Sequence, residues 1–303
     1  MKLAITGATG FVGSSTLDAA LQKGHSVRAL ARSPQPPRDR VEWVRGTLED
    51  TAALRSLAEG TDAVIHIAGL TNTPDPDRFE AANVTGTANV IEAMKSSGVE
   101  RLVFVSSLSA REPSLSQYGA SKARAEALVE ASGLDWTIVR PPAVYGPHDT
   151  DMFELFRAAK LGLVPVPPGG KTSIIHVEDL ARLLVALAEP NPATRHQIYE
   201  PWDDNAFGYE HSELAKMIAE AVGNSFAITA RLPAPVMQLA AKADRAIRGP
   251  KAKLTADRVG YMLHPDWVCD MKKAPPISVW QAVWSGEEGL KHTADWYKEQ
   301  GWL

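Results

Sequence analysis

An α/β fold is predicted, in which a doubly wound parallel sheet is followed by a smaller, mainly α C-terminal lobe. Three observations carry it: short β-branched runs alternate with helix-period stretches up to about residue 145, a glycine-rich turn follows the first run directly, and after Pro147 the alternation gives way to helical patterns. At 303 residues the chain is long enough to bury a core without staples. With 45% apolar and 22% charged residues it has the composition of an ordinary globular protein, which excludes a disordered polyelectrolyte or a fibre.

The strand candidates are 3–6 (LAIT), 26–31 (SVRALA), 62–69 (DAVIHIAG), 101–107 (RLVFVSS) and 137–141 (TIVRP). Helix-period stretches near 11–23, 51–58, 80–97 and 117–132 separate them, the rhythm of a parallel sheet covered on both faces. Later helical patterns lie at 178–188, 211–222, 233–248 and 287–299, with a Pro/Gly-rich stretch at 163–172. The expected division is 1–165 as the first domain, with 173–200 returning to it, and 201–303 as the second lobe.

Gly7-Ala8-Thr9-Gly10-Phe11-Val12-Gly13 joins the first strand to the first helix. Glycines let backbone approach a pyrophosphate, and the helix start supplies free N–H groups and a favourable dipole, so a dinucleotide fits this turn. A carboxylate that holds the ribose hydroxyls of NAD often ends the second strand. Here the strand ends Leu30-Ala31-Arg32, and a guanidinium suits the 2′-phosphate of NADP. A solvated loop arginine is the plain alternative.

Tyr118 and Lys122 lie one turn apart at the start of a helical pattern, and Ser107 ends the fourth strand candidate upstream. A phenol is a weak acid at neutral pH, and an ammonium and a cationic nicotinamide nearby are expected to lower its pKa and make it a usable proton donor. A serine at the sheet's C-terminal edge can hold a carbonyl oxygen. Ser109 competes with Ser107 for that role, and an amphipathic surface helix is the bland reading of the Tyr/Lys pair.

These residues resemble the short-chain dehydrogenase/reductase superfamily, in its extended and atypical branches with the Rossmann fold. The motifs are GATGFVG (7–13), DAVIHIAG (62–69), NVTGTANV (83–90), FVSS (104–107), YGASK (118–122), RPPAVYGP (140–147) and HVEDLA (176–181). The resemblance implies that Ser107, Tyr118 and Lys122 are catalytic and that Lys122 also holds the nicotinamide ribose. It implies that Ala68, Gly69, Pro141 and Val144 line the cofactor cleft, with Leu48 at its adenine end. Three departures stand out. Thr172-Ser173-Ile174 replaces the Arg-Asp-Phe run that grips a sugar-nucleotide diphosphate; Gly46-Thr47-Leu48 replaces Gly-Asp-Leu; and Ser107 to Tyr118 is a short interval.

The resulting expectation is an NADPH-dependent carbonyl reductase acting on a hydrophobic ketone, similar to bacterial oxoceramide or 3-oxo-sphingolipid reductases. A nucleotide-sugar epimerase or dehydratase, and a non-catalytic NADP(H)-binding accessory protein, are the alternatives. A net charge of −4 argues against nucleic-acid partners. The single Cys269 argues against disulfides and multi-cysteine metal sites and points to the cytoplasm. The segment 233–253 sets an apolar face beside Lys242, Arg245, Arg248, Lys251 and Lys253; it either packs on the core or rests on the inner face of an anionic membrane. Trp267, Trp280, Trp284, Trp296 and Trp302 either pack the second lobe or line an apolar pocket.

Overall fold

The computed structural model describes residues 1–303, except for the side chain of Lys251, which lies outside the described residues. Seven parallel strands form the main sheet. Six are β1 (Lys2–Thr6), β2 (Ser26–Ala31), β3 (Val41–Arg45), β4 (Ala63–His66), β5 (Arg101–Val105) and β6 (Asp135–Val139), and Gln197–Tyr199 is the seventh. From one edge the order is β3, β2, β1, β4, β5, β6 and Gln197–Tyr199. Strand order reverses between β1 and β4, and an open parallel sheet presents a ligand crevice at the carboxyl ends of the strands on either side of such a switch.

All five strand candidates are in this sheet. β4 stops at His66 and β5 at Val105, which leaves Ile67–Gly69 and Ser106–Ser107 as loops at the crevice. The two strands the sequence did not announce are the edges. β3 is only half covered, and Gln197–Tyr199 is three residues long, so neither carries the apolar run of a central strand.

Helices Phe11–Gln22 and Val177–Ala188 cover one face, where Leu17, Leu180, Leu183 and Leu184 join Ile5, Val27 and Val103 in a core. Helices Thr51–Ala58, Gly86–Ser96 and Gln117–Glu130 cover the other with Leu54, Leu57, Met94, Ala125 and Val129. Their starts follow capping chemistry: Asp50 accepts from the Ala53 N–H and Ser116 from the Gly119 N–H.

The smaller lobe has its own core, in which Tyr145, Phe156, Val164 and Ile174 meet Leu214, Ile218, Leu290 and Tyr297. Helices His211–Val222, Ala234–Arg248 and Gly286–Glu299 fall where their periodicity placed them. Short helices Phe153–Lys160 and Ala256–Met262, and a strand pair Leu163–Val166 with Ile228–Arg231, were not announced. The helix Ala234–Arg248 divides its apolar face: Met237 and Ala241 pack with Val259, whereas Val236, Leu239 and Ile247 are exposed. Three cations of the segment 233–253 are engaged. Arg245 donates to the Pro74 carbonyl at 2.9 Å, Arg248 pairs with Asp244 at 3.1 Å, and Lys253 pairs with Glu154 at 3.0 Å. Among the described residues no helix is long and apolar enough to cross a membrane.

Leu183 is wholly buried between its helix and the sheet. Leu183→Ala is expected to lower unfolding stability by about 2–5 kcal/mol in chemical denaturation, the usual cost of a large-to-small change in a close-packed core. A loss below about 1 kcal/mol would show that this helix is not part of the cooperative core.

Candidate active site

Two adjoining cavities lie at the sheet's carboxyl edge. The larger, about 950 Å³, is lined by Gly7, Thr9, Gly10, Phe11, Val12, Gly13, Arg32, Leu48, Ala68, Gly69, Tyr118, Lys122, Pro141 and Val144, so every residue expected at a dinucleotide reaches it. Its floor is the glycine turn. Gly7 has φ +75°, and a Cβ there would stand 2.8 Å from the Ala68 nitrogen. A Cβ on Gly13 would stand 1.9 Å from the Gly7 carbonyl oxygen, so only hydrogen lets the helix start pack this closely on the strand end. The backbone is thereby left open to a pyrophosphate at a helix N-terminus, which is the fit a dinucleotide requires.

A buried relay fixes the β4 end of the crevice. The Ile67 and Ala68 N–H groups donate to Thr6 Oγ1 at 3.1 Å, and the Thr6 hydroxyl lies 2.7 Å from His66 Nδ1. His66 Nε2 meets Thr87 Oγ1 at 3.1 Å. Burial holds the His66 pKa down to about 3, so the imidazole is a neutral relay that can donate from Nε2 and accept at Nδ1. Asn83 then clamps the next loop: its Oδ1 accepts from the Leu70 N–H at 2.7 Å, while Nδ2 donates to the Leu70 carbonyl and to Ser121 Oγ, each at 2.9 Å. Leu48 is seated against Gly86, where a Cβ would come within 2.7 Å of it.

The second cavity, about 360 Å³, shares Ser107, Tyr118, Pro141, Val144 and Asp151 with the first. Its wall is mainly apolar, with Leu108, Met152, Leu155, Val164, Val166, Leu214 and Ile218. Trp267 alone of the five C-terminal tryptophans lines it. Trp280 packs beneath the main sheet, Trp284 stacks on His292, and Trp296 and Trp302 pack around Tyr297.

Ser107 and Tyr118 are brought together because the helix Gln117–Glu130 presses on the turn Leu108–Arg111; a Cβ on Gly119 would stand 2.6 Å from the Ser109 carbonyl oxygen. The Ser109 hydroxyl donates to Ser107 Oγ at 2.9 Å, and the Ser109 N–H points to the same oxygen at 3.2 Å. Ser107 lines both cavities and Ser109 only the smaller, so Ser109 supports Ser107. Lys122 Nζ donates to the Val105 carbonyl at 2.7 Å and sits 4.7 Å from the centre of the Phe104 ring.

The electrostatics differ from the sequence-based expectation. Burial pushes the half-buried Tyr118 phenol up to about 12, opposed by the Ser107 hydroxyl and the Arg258 charge, instead of an ammonium lowering it. Lys122 is spent on the Val105 carbonyl, and burial brings its own pKa down to about 8, with Glu126 opposing. Arg78, Glu49 and Asp149 also line the larger cavity, and Arg258 and Tyr261 the smaller. Sequence reasoning missed all five. Asp257 was missed too: its carboxylate accepts from the Gln117 N–H at 2.5 Å and the Tyr118 N–H at 3.3 Å, capping the helix that carries Tyr118.

An anionic dinucleotide is held best while Lys122 is charged, which for a lysine means below its pKa. Affinity measured by calorimetry is therefore expected to weaken as pH rises through about 8, and Lys122→Arg, whose guanidinium does not titrate, should lose that dependence. A flat wild-type profile from about pH 7 to 9.5 would show that the bound dinucleotide does not sense this charge.

Comparison with known proteins agrees with this geometry. The family described as NAD(P)H-binding matches residues 7–190. A curated ceramide reductase of Caulobacter vibrioides is 37% identical over 99% of this chain and 96% of its own length. A 4-hydroxy-2-methyl-3-oxo-4-farnesyl-3,4-dihydroquinoline-1-oxide ketoreductase of Stigmatella aurantiaca is 32% identical over 63% of this chain and 66% of its own. Among solved structures, MoeE5 in complex with UDP-glucose and NAD superposes with a TM-score of 0.76 at 25% identity, covering 99% of each chain. The chain is an NAD(P)-dependent oxidoreductase and belongs to the NAD(P)H-binding family, in the extended branch of the short-chain dehydrogenase/reductase superfamily.

Proposed function

We propose that the protein is an NADPH-dependent carbonyl reductase acting on a hydrophobic ketone, of oxoceramide type. The observation that carries this reading is the mainly apolar cavity that opens on Tyr118 and Ser107, which are among the residues it shares with the cofactor cleft. Its similarity to a ceramide reductase over nearly the whole of both chains supports the lipid assignment. A nucleotide sugar is disfavoured, because Thr172 lines the cavity at the place where the family resemblance implies a diphosphate-gripping arginine.

The nicotinamide supplies the hydride. Ser107, held by Ser109, donates a hydrogen bond to the substrate oxygen. Tyr118 gives that oxygen a proton as the carbonyl carbon gains the hydride, which balances ketone to alcohol. Lys122, which gives one of its three N–H groups to the Val105 carbonyl, would hold the ribose of the bound cofactor with another. Arg32 stands exposed at the rim of the cleft, where it can pair with a 2′-phosphate.

Tyr118→Phe is expected to keep NADPH affinity and lose roughly a hundredfold to ten-thousandfold in turnover, as a lost general acid does. In the same assays Arg32→Ala should weaken NADPH binding and leave NADH binding unchanged. Near-normal turnover without the phenol, or equal NADPH affinity without the guanidinium, removes the corresponding assignment.

Substrate delivery from an anionic membrane, at the inner face of the cell, belongs to the same proposal. Exposed Val236, Leu239 and Ile247 support it, with Lys242 beside them. Because three of the basic side chains are paired within the protein, this contact should rest on apolar insertion more than on charge. Co-sedimentation with anionic liposomes should survive a rise from about 0.1 to 1 M salt better than a purely electrostatic contact, which is screened over that range. It should also drop on Leu239→Asp with Ile247→Asp. Protein that stays in the supernatant at low salt rules this route out.

A further inference from the structure

The mainly apolar cavity contains one guanidinium that the reductase reading does not use. Arg258 lies on the helix Ala256–Met262, reaches the cavity beside Tyr118 and Tyr261, and is less than a quarter exposed. Its protein contacts run through one nitrogen: Nη1 is 3.4 Å from the Asp151 carboxylate and 3.4 Å from the Lys253 carbonyl oxygen. Both contacts are long for charge-assisted hydrogen bonds. Nε and Nη2 make no hydrogen bond among the described residues. A guanidinium carries five N–H donors, and those on Nε and Nη2 stay open to an acceptor in the cavity.

Its place relative to the chemistry is fixed by its neighbour in sequence. Asp257 caps the start of the helix that carries Tyr118, and Gly260 packs on the Leu115 carbonyl, where a Cβ would stand 2.4 Å away. The backbone that carries Arg258 is thus pinned to the backbone that carries the phenol. A carbonyl at Tyr118 and Ser107 therefore brings a nearby substrate oxygen to Arg258. Asp151 lies on the same side of the cavity and would repel a carboxylate or phosphate, whereas a neutral oxygen accepts from the free nitrogens without that penalty.

We infer that Arg258 is a specificity-determining residue that donates to a neutral oxygen, such as an amide or ester carbonyl, borne by the substrate close to its reacting ketone. The inference rests on the reductase reading for the placement of the ketone. It narrows the substrate class from apolar ketones to apolar ketones that bear an amide or ester carbonyl within a few bonds of the reacting carbon.

The test compares three ligands of equal chain length: an α-acylamino ketone with its amide carbonyl near the ketone, the same ketone with a carboxylate in place of the amide, and a plain ketone. Each is titrated into protein saturated with NADP⁺, which cannot give a hydride, and followed by the fluorescence of Trp267 at the cavity wall and by calorimetry. The wild type should bind the amide at least about tenfold more tightly than the plain ketone, as expected of a hydrogen bond to a charged donor. In Arg258→Met and Arg258→Gln that ratio should fall to about twofold or less, with NADP⁺ affinity as the check on folding. The inference is overturned by a wild type without the preference, by variants that retain it, or by a carboxylate that binds more tightly than the amide. NADPH oxidation on the same ligands is read separately: preferential binding without hydride transfer would sink the reductase reading and leave the role of Arg258 standing.

Discussion

The two buried carboxylates Glu126 and Glu200, joined by Arg140, are the constraint from which the site takes its shape. Arg140 follows β6 and holds Glu126 on the helix of Tyr118 at 2.6 Å, while its other terminal nitrogen reaches Glu200 at 3.5 Å. Glu126 also receives the Ser106 hydroxyl at the end of β5, and Glu200 gathers Arg111 and Lys273, each at 3.3 Å. One network therefore ties the helix, the serine loop and the C-terminal tail to the same sheet edge. Buried ion pairs contribute little net stability once desolvation is counted, but breaking one strands a charge. In this chain the pairs fix orientation: with Glu126 held, Lys122 one turn earlier is directed at the Val105 carbonyl and Tyr118 at the cavity.

How much of this was legible follows from sequence separation. The glycine turn, the central strands and the helix Gln117–Glu130 were readable because each is specified by neighbours within about ten residues, through period, caps and glycine spacing. Every residue expected at the cofactor lines the cleft for the same reason. The edge strands were illegible because a half-covered ribbon has no continuous apolar run. Asp257 and Arg258 were illegible because their meaning lies in Gln117, Tyr118 and Asp151, more than a hundred residues away, and a seven-residue helix has too little period to announce itself. The charges of the segment 233–253 were visible, yet the distant partners Pro74 of Arg245 and Glu154 of Lys253 were not, and partners decide whether a cation is free to meet a membrane.

The acid–base state of Tyr118 bears on the proposed proton transfer. Burial pushes the phenol up to about 12, with the Ser107 hydroxyl and the Arg258 charge opposing, so it is protonated at neutral pH. In reduction that is the state required when the carbonyl arrives. The hydrogen bond from Ser109 then matters, since a Ser107 oxygen that already accepts from Ser109 is free to turn its own hydrogen toward the substrate. A protonated phenol, an oriented hydroxyl and a mainly apolar wall are thus the three features on which the proposed proton delivery to a carbonyl oxygen depends.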